Sequence, residues 1–167
     1  MAYNSGEKYN SGRGFNGKER NNNRNGNRYQ SGASQDKKYN SPSREIRPEP
    51  VPEEYVDCAE DVMREMVRNI TTSKIRNLYS LVMDIYHTEN LRHETELLPS
   101  SVTGIRMARV RFLYEAGRDR DVKSFVERAK LLEYLKGIGN NRTDLIRFVN
   151  YMEALVAYHR YFGGREK

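Results

Sequence analysis

Two cations stand at a helix start, where acids are the usual occupants. In the stretch NITTSKIRNLYSLVMDIY, residues 69–86, Thr71, Thr72 and Ser73 signal the start, and Lys74 and Arg76 follow in the first turn. A helix N-terminus has four unpaired N–H groups and a partial positive charge, so cations there cost roughly a few tenths of a kcal/mol. The two side chains fall about 160° apart around the helix, one on each side of its apolar stripe. They would straddle the N-terminal mouth. A phosphate bound there would draw on the N–H groups, the dipole and both cations together.

Further cations, Arg106, Arg109, Arg111, Arg118, Arg120 and Lys123, lie near predicted helix ends or beside apolar stripes, where long side chains reach phosphates. Each has a plainer explanation. Arg111 and Glu115 stand at i, i+4 and can pair. Arg118 and Arg120 follow a helix C-terminus, where cations suit the dipole. Arg109 lies about 70° from the centre of its helix's core stripe, so it can snorkel or pair internally.

Catalysis has few candidates. His87, His93 and His159 are dispersed, with no H-E-x-x-H and no His/Asp pair on one helical face. The Arg and His spacing of all-helical HEPN-type nucleases is missing. The stretch HTENLRHETE gathers His87, Glu89, His93, Glu94 and Glu96 but lacks a fixed ligand spacing, and is expected to be a solvated loop rather than a metal site. Neither GIGNN nor FGG leads into a phosphate-loop lysine. No catalytic residue, metal or cofactor is assigned, and a small helical nuclease ranks last among the functions considered.

The elements that must position these cations read as helices. The expected fold class is all-α, a compact bundle of about five helices preceded by a disordered N-terminal arm. Residues 1–52 form the arm and a Pro-rich linker, and residues 53–167 the helical domain. The arm is rich in Asn, Gly, Arg and Tyr, repeats YNSG-like units, and has too few aliphatic residues to offset its ordering entropy. Lys and Arg outnumber Asp and Glu by 10 to 5 in residues 1–50 and by 19 to 18 in residues 51–167, so basic surface on the domain must come from local clustering.

Apolar residues at three- and four-residue spacing mark helices over about 53–69, from Thr72 onward, over about 101–116, from near Asp121 to the GIGNNR loop, and from Thr143 to the Gly163–Gly164 stop. HTENLRHETELLPSS reads as a loop. The helix VTGIRMARVRFLYEAG carries Val102, Ile105, Ala108, Val110, Phe112, Leu113 and Tyr114 around most of its circumference, which predicts a central position in the bundle, with Gly117 as a left-handed cap. The final helix has Tyr151, Tyr158, Tyr161 and Phe162 beyond its core stripe. Either a partner, another copy included, or two neighbouring helices cover them. One cysteine, Cys58, and no long apolar run fit a soluble protein of the cytoplasm.

As an ordered set, TTSKIRNLYSLVMDIY, VRFLYEAGR, VKSFVERAKLL and YMEALVAYHRYFGG resemble the small subunit of type III-A CRISPR effector (Csm) complexes, over about residues 70–164. The resemblance implies a compact all-helical protein without catalytic activity, stacked in several copies along the channel that holds guide RNA and target RNA. Its partners would be those RNAs, the backbone and large effector subunits, and further copies of itself, in antiviral defence. The motifs imply RNA contact for Lys74 and Arg76 and, less directly, Arg118. They imply a structural or subunit-contact role for Glu153, Tyr158 and Tyr161. With the cations above, the expected RNA-binding set is Lys74, Arg76, Arg109, Arg111, Arg118 and Lys123. The competing expectation is a protein-interaction spacer whose cations meet acids on neighbouring subunits.

Overall fold

The computed structural model describes residues 45–167, and the expected N-terminal arm lies almost wholly outside them. Six helices follow one another: α1 (Tyr55–Met66), α2 (Thr72–Asn90), α3 (Pro99–Arg118), α4 (Arg120–Arg128), α5 (Leu131–Gly137) and α6 (Arg142–Tyr161). Among the described residues there is no strand, only one antiparallel bridge between Glu96 and Asn141. The fold is all-α.

Local chemistry sets the boundaries. Thr71, Asp119 and Asn141 each accept a backbone N–H at the start of α2, α4 and α6, and Pro99 opens α3, where a missing N–H costs nothing. The expected fourth helix is two. Lys130 adopts the left-handed conformation (φ 51°) between α4 and α5, although the apolar spacing runs on. The Ala129 carbonyl at this break accepts the buried Tyr151 hydroxyl at 3.2 Å, and the Lys130 ammonium pairs with Glu49 at 2.8 Å. Burial pushes the Tyr151 phenol well above its ordinary value, so it stays a donor. Gly117 is not a left-handed cap but lies within α3, whose C-cap is Asp119.

Helix α6 is the centre, packing on α1, α2 and α5 and burying Leu145, Phe148, Val149, Tyr151, Met152 and Leu155. The central position expected for α3 is not found. It packs on α2, α4 and α5 through Ile105, Ala108, Phe112 and Ala116, and leaves Val110, Leu113 and Tyr114 exposed. Apolar content all round a helix does not reveal which sides have neighbours.

The Pro-rich stretch before α1 lies on the bundle. The Glu49 N–H donates to Glu133 O at 3.1 Å, Lys136 Nζ to Ile46 O at 2.7 Å, and Val51 is buried. A Cβ on Gly137 would stand 1.9 Å from the Glu49 carbonyl oxygen, so this backbone crossing requires glycine. The matching prediction is that Gly137→Ala displaces residues 46–51. Faster hydrogen exchange at the Glu49 amide would show it, and unchanged protection there would count against it.

Candidate nucleic-acid interface

At the mouth of α2 the donors are already engaged. The Thr72 N–H donates to Arg165 O at 2.8 Å, the Ser73 N–H to Glu166 O at 3.1 Å, and the Lys74 N–H to Thr71 Oγ1 at 3.4 Å. The open anion site expected there is not formed, because the chain's own C-terminal residues fold back and cap the helix. Lys74 Nζ lies 2.9 Å from Asp119 and 3.0 Å from Asp121, and Arg76 lies 3.1 Å from Glu166. Hydrogen bonds to Asp119 and then Asp121 raise the Lys74 ammonium above its ordinary value, and the Lys74 contact lowers the Asp119 carboxyl. Asp119 also caps α4. Two cations at a helix start are explained by carboxylates that reach them from the α3–α4 junction and from the C-terminus.

The remaining expected contacts spread over other surfaces. Arg118 lies 3.7 Å from Glu115 and 5.9 Å over the Tyr114 ring, which leaves Arg111 without the expected Glu115 pairing. Lys123 lies 4.0 Å from Glu127. Tyr158 is half-buried and stacks on Phe162, whose ring also carries the Arg64 guanidinium at 5.2 Å. Tyr151 is core, so neighbouring helices cover part of the aromatic excess. Tyr161 and Glu153 face outward.

One cleft does collect cations. Between α3 and the α5–α6 turn, a cavity of about 360 Å³ is lined by Arg106, Arg109 and Lys136, with Gly139 and Asn140 at its edge and no carboxylate in its walls. Among the described residues, neither arginine has a carboxylate partner within ion-pair distance, so the internal pairing considered for Arg109 is not found, and its side chain is half-buried. Arg106 and Arg109 are one turn apart on α3, while the turn that supplies Gly139 is fixed by the Leu97 N–H donating to Asn140 O at 2.8 Å. Such a surface suits a phosphate oxygen rather than a reaction.

Two residues that the sequence offers only as dispersed catalytic or loop ligand candidates are buried polar residues of the fold. Glu89 is fully buried at the end of α2. Its carboxylate accepts from Arg92 at 2.7 Å and from the Leu98 N–H at 3.0 Å. Burial pushes this carboxyl up, but hydrogen bonds from Ser101, Leu98 and Arg92 together hold it below its ordinary value. His159 is also fully buried. Its Nε2 donates to Ile70 O at 3.0 Å, its Nδ1 lies 3.0 Å from Thr72 Oγ1, and Gly164 packs flat on the ring. His87 and His93 are exposed, and no group of His, Cys, Asp and Glu among the described residues is arranged to hold a metal. No helix among them is long and apolar enough to cross a membrane.

Comparison with known proteins places this architecture. The family model for Csm2 of type III-A systems matches residues 49–165. The CRISPR system Cms protein Csm2 of Streptococcus thermophilus is 40% identical over 120 residues, covering 68% of this chain and 95% of that protein. The Csm2 of Mycobacterium tuberculosis is 38% identical over 122 residues, 70% of this chain and 98% of its own length. That of Enterococcus italicus is 30% identical over 100 residues, 58% and 71% of the two chains. With the family model spanning nearly all the described residues, the chain belongs to the Csm2 family, the small subunit of type III-A CRISPR (Csm) complexes.

Proposed function

We propose that this subunit is non-catalytic and lines the RNA channel of its complex in several copies, contacting the phosphate backbone without reading sequence. In RNA-guided systems base pairing supplies sequence specificity, and the protein contributes shape and positive charge. The observation that carries the reading is the cleft lined by Arg106 and Arg109 without a carboxylate in its walls; Lys136 lines it as well, with its ammonium on the Ile46 carbonyl. Lys74 and Arg76 contribute less on this reading, since each already holds a carboxylate. Their part is to tie α2 to α4 and to the C-terminus.

The test is RNA affinity of the assembled complex against salt concentration. Removing one cation that neutralises a phosphate should flatten the log–log salt slope by about 0.7–0.9, so Arg106→Ala with Arg109→Ala is expected to reduce it by about 1.5 for each copy in contact with the RNA, whatever the RNA sequence. Lys74→Ala should leave the slope unchanged. An unchanged slope in the double variant, or a reduced slope in the Lys74 variant, would move the contact elsewhere.

A further inference from the structure

A cavity of about 360 Å³ opens among α3, α4, α5 and the stretch before α1. Ile46, Leu113, Val126 and Leu132 make its walls apolar, while Lys123 and Glu127 stand exposed at its rim. Glu133 also lines it and is only 8% exposed. The cations that could meet this carboxylate are engaged elsewhere. Lys130, three positions before it, pairs with Glu49 at 2.8 Å, and Lys136, three positions after it, donates to Ile46 O at 2.7 Å. Arg47 pairs with Glu45 at 3.3 Å, and Lys123 lies 4.0 Å from Glu127. Among the described residues the Glu133 side chain therefore has no hydrogen-bond or ion-pair partner. Burying a carboxylate is costly unless donors meet it, and at Glu133 that part is left to whatever enters the cavity.

A second feature keeps the same cavity open. Gly117 lies in the last turn of α3 without a positive φ, and a Cβ on it would meet nothing within 4 Å. Neither turn geometry nor packing calls for glycine there, and glycine weakens a helix. Its place in the cavity wall supplies a reason, because any side chain at 117 would narrow the entrance.

We infer that this cavity receives an arginine side chain from a different subunit of the Csm complex, with its guanidinium on the Glu133 carboxylate. The volume is near the small end of the range for ligand sites, roughly 300–1,000 Å³, and suits one long side chain. The apolar walls take the stem, and a flat, weakly hydrated guanidinium enters such a pocket more readily than an ammonium. Lys123 and Glu127 offset one another at the rim, so Glu133 sets the charge of the site. That charge attracts a single cation and repels a phosphate. The inference rests on membership of a multisubunit complex and not on the RNA reading, whose arginine cleft shares no lining residue with this cavity.

The experiment is photo-crosslinking in the complex reconstituted from its purified subunits, with benzoylphenylalanine in place of the exposed Leu113. Mass spectrometry is expected to show a cross-link to an arginine-containing segment of a different subunit. Glu133→Gln and Gly117→Leu should each reduce that cross-link and weaken retention of this subunit in the complex by about tenfold or more. Both variants should stay folded, since glutamine keeps the shape of Glu133 and a side chain at 117 begins in open space. Melting of the full chain checks this. Replacing the cross-linked arginine by alanine should weaken retention by a similar factor and add little to Glu133→Gln, as for two halves of one contact. A cross-link to RNA, to another copy of this chain or to a segment without arginine would overturn the proposal. So would full retention of both variants, or additive losses when the two changes are combined.

Discussion

Glu89→Ala is expected to lower folding stability by about 3 kcal/mol, on the order of 10 °C in melting temperature. The carboxylate stands at the end of α2 and accepts from the Leu98 N–H at the start of α3 and from Arg92 between them. Removing it leaves a buried N–H without a partner and Arg92 without its closest charge. Arg92 keeps a contact to Glu94 at 3.4 Å and some access to water, which places the loss at the lower end of the range for a broken buried pair. Glu89→Gln keeps the shape and one acceptor, and should cost less.

The same site has a pH signature. A carboxyl held below its ordinary value by the fold contributes stability above the ordinary carboxylate range and loses it as pH falls through the folded-state value. Wild type should therefore weaken on acidification, and the Glu89 variants should weaken less over that interval. Asp119, lowered by its hydrogen bond to Lys74, adds a background with the same sign. Denaturant midpoints at neutral and acid pH measure both effects. Parallel losses in wild type and variant would mean that Glu89 is not the titrating group.

His159→Ala is expected to cost about 2–4 kcal/mol, combining a cavity of imidazole size with an unpaired Ile70 carbonyl. The ring joins three segments, the α1–α2 turn through Ile70, the first residue of α2 through Thr72, and the C-terminal turn through Gly164. Its loss should therefore be felt at a distance from α6. The diagnostic is hydrogen exchange at the Thr72 and Ser73 amides, whose acceptors are the Arg165 and Glu166 carbonyls. Both should exchange faster in the variant, beyond the global loss of stability. Protection that falls only in step with global stability would confine the role of His159 to packing.

Much of the helical architecture is legible in the sequence, and the failures have local causes. From sequence α2 is expected to end near Tyr86, since the residue that continues the stripe of Ile75, Leu78, Val82 and Ile85 is Glu89, a carboxylate at an apolar position. Its partner at i+3, Arg92, is the available signal. His159 could be found the same way, four residues beyond Leu155 on the core stripe of α6. The break at Lys130 leaves no trace in the apolar pattern, because only the backbone conformation changes there. The candidate interface is harder. Arg109 stands out in the sequence, but its neighbour Lys136 comes from another helix, and no linear spacing reports that convergence. Lys74 and Arg76 look unpaired because their carboxylates lie 45 to 90 positions further along the chain.

The capping of α2 by residues 165–166 also bears on the order in which the chain folds during synthesis. Residues 55–90 leave the ribosome long before α6, which is the surface that both α1 and α2 cover, and before the carbonyls that close the start of α2. Until then α1 lacks the helix it packs on and α2 has only α3, while α3, α4 and α5 can pack on one another as neighbours in sequence. Native structure should therefore accumulate first in the middle of the chain and reach α1 and the start of α2 last. A ribosome-bound chain stalled short of residue 142 would be expected to hold α1 and the start of α2 loosely and open to protease.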